Sequence, residues 1–419
     1  MLLFPYHYYD PTLWLLFLGV ILAASSTAVI GTFSLLQKEG LAADAIAHAL
    51  LPGICLSFMI THRKEPWLLT VGALASGGLA LLLLHTLARY AKIKRENAIA
   101  VVLSIFVGTG LMLLSYIQHS GYESQAGLHH FLLGNIASLM QRDIWFFALL
   151  DLAIFVCLIL LFKEWQLLSF DRQFAQAIGR PVKRLTLVFQ FLTLMAIIMG
   201  VQTVGIVLMS AMLLIPAAAA RSWTNRLSKL VWIAIFFSCL ASLLGVLFSS
   251  MLAIPTGPCM VLLMNLIAFF SFIVAPADGW LARMYRQHCY RKKIWKENIL
   301  KLLYQLSKKN NAYQNAYTVS QLFQARPLDQ GTMRFYLQKL AREGLVLQDD
   351  QGRWALTPLG FKKGEHVRRL HVLWQTYLGH YMGVEKSHAH NEAEAIEHLI
   401  TPKIKKKLDW LVANQLEQK

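Results

Sequence analysis

Long runs of apolar residues dominate the chain up to about residue 282 and then stop. The runs lie near residues 12–36, 45–61, 67–90, 97–118, 144–162, 185–200, 204–220, 229–249 and 258–276. A helix needs about 20 mainly apolar residues to cross a bilayer, and some runs reach this length while others fall short. The pattern predicts an all-α polytopic transmembrane domain over 1–282, with eight or nine transmembrane helices.

The basic residues between these runs predict the orientation of the chain in a plasma (inner) membrane. The loops at 89–95, 163–184 and 221–229 carry clusters of Lys and Arg, whereas the loop at 119–130 carries neither. Because Lys and Arg accumulate on the cytoplasmic side, the three basic loops are expected inside. With nine crossings, the N-terminus lies outside and the C-terminal domain is cytoplasmic. The basic loop at 62–66 falls outside in this arrangement and counts against it.

Residues 283–419 have the composition of a soluble domain. They contain 24 Lys and Arg against 12 Asp and Glu, a net charge of +12, whereas residues 1–282 carry +5. The excess begins in a basic linker at 283–295, which follows the last apolar run. Such a domain is of ordinary size, and its charge favours an anionic partner such as DNA or a lipid surface.

Short helices are predicted after the linker. Residues 296–307 have apolar positions at helical spacing. Thr318 is placed to cap a helix over 319–325, and Asp329 to cap the next helix, over 330–343. Two helices joined by a tight turn are typical of helix-turn-helix DNA-binding domains.

A β-hairpin over 345–360, with its turn at 350–352, completes the pattern of a winged helix-turn-helix DNA-binding domain over 296–365. The second helix of such a domain enters the DNA groove. The side chains expected to reach DNA are therefore Arg334, Tyr336, Gln338, Lys339 and Arg342. A winged helix used for protein contact, or retained as a remnant, is the alternative.

Two polar side chains interrupt the apolar stretch DAIAHALLPG at 44–53. Asp44 and His48 are four residues apart and share one face of a helix. A charged group at bilayer depth is costly unless it faces a cavity or a partner. The pair can offer oxygen and nitrogen to a divalent cation, and suits Mn²⁺, Fe²⁺ or Zn²⁺ better than Ca²⁺ or Mg²⁺. The alternative is a helix-capping Asp with a His hydrogen-bonded inside the bundle. Pro52-Gly53 suggests that the helix bends or ends nearby.

Five segments resemble, in order, the signature segments of the membrane subunits of ABC-type importers for manganese, zinc and iron. They are DAIAHALLPGICLSF (44–58), LLGNIASL (132–139), FDRQFAQAIG (170–179), VGIVLMSAMLLIPAAAAR (204–221) and IPTGPCMVLL (254–263). The resemblance implies a permease domain in which Asp44 and His48 gate or briefly hold the metal ion.

The segment at 170–179 is similar to the cytoplasmic stretch of that family that meets the ATPase. Asp171 can cap a short helix that carries Phe174, and Gly179 followed by Pro181 can end it. A short, capped helix can dock rigidly into a groove of a nucleotide-binding subunit. An ordinary loop helix is the alternative.

The partners follow from what this sequence does not contain. It has no GxxxxGK[ST] loop, which cradles the phosphates of bound ATP. The chain is therefore expected to be a non-enzymatic transporter subunit that works with a separate ABC ATPase subunit. A separate extracytoplasmic metal-binding protein is expected to deliver the ion. The resemblance also implies a second permease subunit, either a second copy or a paralogue.

Residues 296–412 resemble metal-dependent repressors of the diphtheria-toxin-repressor and manganese-repressor type, in HVLWQTYL (371–378) and HNEAEAIEHLI (390–400). The resemblance implies a helical metal-binding and dimerisation segment over 366–419. Its implied metal ligands are His371, Glu394, Glu397 and His398, with His390 as an accessory ligand. Some relatives have Cys at the first Glu, and a carboxylate there favours Mn²⁺ or Fe²⁺ over softer ions.

One feature departs from that family. Its first helix usually supplies a further ligand, whereas this chain has Asn298 and Lys301 at the corresponding positions, with Glu297 adjacent. A lysine in the site would oppose a cation. Either Glu297 or Asn298 substitutes for the missing ligand, or the metal response is weakened.

Together these features predict a permease subunit fused to a metal-responsive, DNA-binding repressor. Because a tethered repressor reaches DNA poorly, proteolytic release near 283–296 is expected. Two alternatives remain. The C-terminal domain regulates transport directly, or it is a non-functional remnant and the chain is only a permease. The metal and the composition of the permease dimer stay open.

Overall fold

The computed structural model describes residues 11–62, 66–91, 93–119, 134, 141–309, 315–325 and 330–381. The chain forms two compact units, Met1–Ala282 and Arg283–Lys419.

The first unit is built from helices separated by short connections. They are α1 (Pro11–Leu36), α2 (Gly40–Thr61), α3 (Pro66–Tyr90), α4 (Arg95–His119), α5 (Gln141–Phe170), α6 (Arg172–Ala177), α7 (Val182–Val204), α8 (Met209–Arg221), α9 (Leu227–Leu252) and α10 (Thr256–Val274).

Eight of these helices, all except α6 and α8, are long and apolar enough to cross a membrane. This finding confirms the predicted polytopic all-α membrane domain. The apolar run at 204–220 is the exception, because Gly205 adopts a positive φ of 93° and α8 begins only at Met209. With 13 residues, α8 is about 20 Å long, shorter than the hydrocarbon core of a bilayer.

The crossing of α2 and α3 depends on two glycines. A Cβ atom added to Gly53 would lie 2.0 Å from the backbone oxygen of Gly72, and one added to Gly72 would lie 2.4 Å from the oxygen of Gly53. Neither backbone can move away without separating the helices, so only glycine fits at both positions. This contact fixes α2, the helix that carries Asp44 and His48.

Three buried aromatic rings join α1, α5 and α7. Trp165 lies edge-on to Phe33 and to Phe189, with 5.6 Å between ring centroids in both pairs. All three side chains are almost completely buried. Such edge-to-face pairs add to the stabilisation from burial alone. The cluster holds the end of α5 in place, immediately before the short helix α6.

The second unit has the predicted winged helix-turn-helix order. Its elements are α11 (Trp280–Lys309), α12 (Val319–Ala325), α13 (Gln330–Arg342), β1 (Val346–Gln348), β2 (Trp354–Leu356) and α14 (Pro358–Tyr381). The two strands are antiparallel, with Val346 opposite Leu356 and Gln348 opposite Trp354. A core that includes Ile299, Leu322, Leu337 and Val346 joins the helices to the hairpin.

Local signals set the ends of these elements. The Thr318 hydroxyl accepts a hydrogen bond from the Gln321 N–H, and the Gln321 side chain accepts one from the Thr318 N–H, a reciprocal cap of α12. In the hairpin turn, the Asp349 carboxylate accepts the backbone N–H of Arg353 at 2.8 Å. That hydrogen bond is the main reason why the pKa of Asp349 is lowered. The predicted cap at Asp329 lies outside the described residues.

The predicted linker at 283–295 is helical and belongs to α11. The sequence analysis missed this because the linker is strongly basic, although its charges lie on a helix that is largely exposed. A protease binds locally opened backbone, so a helix must first unfold at the cleavage site. The structure therefore argues against proteolytic release within 283–296.

Candidate metal-binding and DNA-binding sites

Asp44 and His48 are the two side chains of α2 between residues 42 and 55 that are not buried. Their side chains keep 31% and 24% of their surface exposed, and Nε2 of His48 lies 3.9 Å from Oδ1 of Asp44. Two atoms that bind one metal ion at about 2.1 Å each stand roughly 3.0–3.4 Å apart. A small side-chain rotation therefore brings the pair to a metal-binding separation. Asp44 does not cap the helix, because α2 begins at Gly40.

Pro52 adds a backbone oxygen to this site. The helix does not end at Pro52-Gly53, as the sequence had allowed, but continues to Thr61. Because proline has no N–H, the helical hydrogen bond from residue 52 to the carbonyl of His48 cannot form. His48 therefore presents both an imidazole and a carbonyl oxygen that has lost its helical donor. Together with Asp44, one chain offers three donor atoms on one helix.

These donors do not complete a metal site within one chain. Among the described residues, no three His, Cys, Asp or Glu side chains converge as metal ligands. Transition metals in proteins commonly take four to six ligands. The remaining ligands must therefore come from outside the described part of this chain.

Asp151 is an acidic side chain that the sequence analysis missed. It lies on α5, is only 9% exposed, and accepts a hydrogen bond of 2.9 Å from the Ser25 hydroxyl of α1. Cys239 of α9 contacts the carbonyl of Ile21, one turn before Ser25. A single acid within a long apolar run was the available signal, because such residues inside a bilayer are rare and functional.

The short helix α6 has the predicted cap. The Asp171 carboxylate accepts the backbone N–H of Phe174 at 2.8 Å, and Gly179 has a positive φ of 78° just beyond the helix. Phe170, Phe174 and Ile178 are 68%, 54% and 50% exposed. Their spacing of four residues makes an exposed apolar row across a capped helix.

A polar cavity of about 250 Å³ lies near this row. Lys38, Arg95 and Arg172 contribute its positive charges, and Glu39 lies among them. The Glu39 carboxylate is paired with Arg95 at 2.8 Å, which leaves the cavity with a net positive charge.

Helix α13 presents most of the side chains predicted to contact DNA. Arg334, Gln338 and Arg342 are exposed at four-residue intervals on one face, and Lys339 is partly exposed. Tyr336 differs, because it is 8% exposed and its ring stacks on Trp295 of α11, with 6.3 Å between centroids. Its place in the core argues against a direct contact with DNA and corrects that part of the prediction.

The predicted sensor site is only partly within the described residues. His371 of α14 is completely buried, whereas His390, Glu394, Glu397 and His398 lie outside the described residues. Helix α14 packs on α11, with 4.8 Å between the ring centroids of Phe361 and Tyr304. On α11, Asn298 is 7% exposed and Lys301 is 4% exposed.

These buried residues do not fit a divalent cation. A metal ion requires deprotonated or neutral ligands, and an ammonium group among them repels it. In the described interior of this unit, the candidate ligand His371 is accompanied by the cation of Lys301. The assignment of the tail residues as metal ligands stays a prediction.

Comparisons with known proteins agree with the division of the chain. Residues 9–275 match the ABC 3 transport family, and residues 357–416 match the metal binding and dimerisation domain of iron dependent repressors. The chain is 37% identical to the manganese transport system membrane protein MntC of Bacillus subtilis, over 88% of this chain and 85% of that protein. It is 27% identical to a probable metal transport system membrane protein of Chlamydia trachomatis, over 94% and 92%.

A solved structure, PsaBC from Streptococcus pneumoniae in complex with Fab, has a similar fold. It superposes with a TM-score of 0.59 and 28% identity, and covers 65% of this chain and 95% of that chain. The matched share corresponds in length to the membrane unit. Both curated relatives extend over most of the chain and are similar to it well beyond that unit.

We predict that the hydrogen bond between Asp151 and Ser25 stabilises the contact of α1 with α5. In a double-mutant cycle of Asp151→Leu and Ser25→Ala, the coupling in unfolding free energy should be about 1 kcal/mol. Asp151→Asn keeps an acceptor oxygen and should lose less stability than Asp151→Leu. Thermal unfolding of the chain in detergent measures these differences, and additive effects of the two substitutions would contradict the assignment.

Proposed function

Because the chain belongs to the ABC 3 transport family, we propose that it is the membrane permease subunit of an ATP-driven importer of Mn²⁺, Fe²⁺ or Zn²⁺. The observation that carries this proposal is the pair Asp44 and His48, which opens from an otherwise buried part of α2. A carboxylate and an imidazole on neighbouring helical turns form the ligand set that such ions prefer. The permease carries out no covalent chemistry.

Two permease subunits would complete the metal site. Each chain supplies one carboxylate, one imidazole and the carbonyl of His48, so a second copy or a paralogue doubles this set. Four side-chain ligands then surround the ion during passage, and separation of the two pairs releases it. The site would therefore bind the ion only while the subunits hold both pairs together, as alternating access requires.

The exposed row Phe170, Phe174 and Ile178 supports a docking surface for a separate ABC ATPase subunit. The Asp171 cap and the buried aromatic cluster at the end of α5 make α6 a rigid element that can transmit motion of the ATPase to α5 and α7. The nearby cavity, with its positive charge, suits acidic side chains of that partner. A separate extracytoplasmic protein would deliver the ion to the opposite side.

The basic loops support the orientation of the permease. When α8 serves as a short ninth crossing, the loops at 89–95, 163–184 and 221–229 all lie in the cytoplasm. The N-terminus is then outside, and the C-terminal unit is cytoplasmic. In this orientation the row on α6 faces the ATPase.

For the C-terminal unit we propose a repressor-like DNA-binding function. The observation that carries it is the exposed row Arg334, Gln338 and Arg342 on the second helix of a winged helix-turn-helix. Arg and Gln are the side chains that most often bind purine edges in the major groove. Without proteolytic release, binding would bring DNA to the membrane, and direct regulation of transport is the alternative.

We predict that Asp44→Asn and His48→Ala each reduce Mn²⁺ uptake by roughly tenfold or more, because each removes a metal ligand. Uptake is measured in cells or proteoliposomes that contain the complete transporter. His85→Ala is the matched control, since His85 is exposed on α3 and bonds to the Leu81 carbonyl of its own helix. Equal uptake by the His48 and His85 variants would exclude the pair as the metal site.

We also predict that Arg334→Ala weakens binding of the full-length chain to DNA by about 1–3 kcal/mol. The probe is a labelled duplex that spans the region upstream of the chain's own gene, and binding is followed by fluorescence anisotropy at fixed salt. Lys362→Ala removes one exposed positive charge from α14 and is the control. The same loss in both variants would indicate nonspecific charge attraction, and no binding at low salt would favour direct regulation of transport.

A further inference from the structure

The interior of the C-terminal unit contains a buried positive charge. Among its described residues, the buried polar side chains are Asn298, Lys301, Ser307 and His371. Lys301 is only 4% exposed, although lysine side chains almost always extend into solvent. An uncompensated ammonium in such an environment is strongly destabilising, so a buried lysine needs polar partners that offset its lost hydration.

The surroundings of Lys301 favour such compensation. Neither Lys301 nor His371 is without a partner. Asn298 lies three residues before Lys301 on the same face of α11, and its Oδ1 atom is buried with no hydrogen-bond partner among the described residues. An acceptor oxygen is therefore available beside the ammonium. Glu297 also lies on this turn, although Lys293 stands 3.8 Å from its carboxylate.

A divalent ion and this lysine would compete for the same ligands. The segment that matches a metal-binding domain contains the acids Glu394 and Glu397, which are the candidate ligands. Carboxylates that neutralise a buried ammonium cannot at the same time neutralise a second cation nearby. The lysine is covalently fixed, so it has no dissociation equilibrium through which metal concentration could act.

We propose that the ammonium group of Lys301 takes the place of a divalent metal ion in the C-terminal unit. This unit is then folded and competent to bind DNA without metal. Metal acts on the protein only through Asp44 and His48 of the membrane unit. The part that concerns DNA rests on the proposed function, whereas the part that concerns folding of α11 and α14 does not.

Hydrogen exchange of the full-length chain in detergent tests the folding part directly. Peptides that cover 295–305 and 365–375 report on α11 and α14 separately from the membrane unit. In the wild-type chain, their exchange rates in EDTA and in Mn²⁺ should differ by less than about twofold. Exchange that slows markedly on addition of Mn²⁺ would overturn the proposal.

Replacement of the lysine by an acid should create the missing dependence on metal. In Lys301→Glu, the same peptides should exchange roughly tenfold faster in EDTA, and Mn²⁺ should restore their protection. Lys301→Arg keeps the charge and should remain insensitive to metal. Lys308→Glu reverses an exposed charge on the same helix and is the matched control. If Lys301→Glu does not fold, the wild-type comparison in EDTA and Mn²⁺ still decides the question.

DNA binding in the same samples separates this proposal from the proposed function. Equal affinity of the wild-type chain for the upstream duplex in EDTA and in Mn²⁺ supports the proposal. Binding that requires Mn²⁺ overturns it. If DNA is bound under neither condition, the DNA-binding function fails, and the exchange rates still decide whether Lys301 replaces the metal ion.

Discussion

The cost of removing a charged group from water governs both units of this chain. In the membrane unit, Asp151 is buried and accepts a hydrogen bond from Ser25, whereas Asp44 and His48 keep part of their surface open. A buried carboxylate that is already hydrogen-bonded has a structural role, and an open pair on one helix face is available to a ligand. In the C-terminal unit, the same cost requires partners for Lys301, and those partners are the acids and amides that a metal ion would otherwise bind.

The placement of the open pair depends on close packing of α2. Only glycine fits where Gly53 meets Gly72, so α2 and α3 approach each other at backbone distance. Pro52 removes a helical hydrogen bond one turn after His48 without ending the helix. A rigid helix with one altered carbonyl can hold an ion between two subunits and release it when they separate. The C-terminal unit adds a DNA-binding surface whose competence, in this account, does not follow metal concentration.

The sequence predicted the elements well because burial in a membrane and helical periodicity leave direct traces. The apolar runs, the Asp171 cap and the hairpin all have local causes. What failed depended on contacts between elements. The run at 204–220 contains the break at Gly205, the basic linker is helical, and Tyr336 turns inward because Trp295 lies beneath it. No local pattern could show that Asp151 meets Ser25, which lies 126 residues earlier in the chain.

Electron spin-echo spectroscopy of Mn²⁺ bound to the purified full-length chain tests the central claim most directly, because it detects nitrogen ligands of the metal. The account predicts a histidine nitrogen signal in the wild-type chain and in His371→Ala, and its loss in His48→Ala. A signal that survives His48→Ala and disappears in His371→Ala would place the metal in the C-terminal unit and contradict the account.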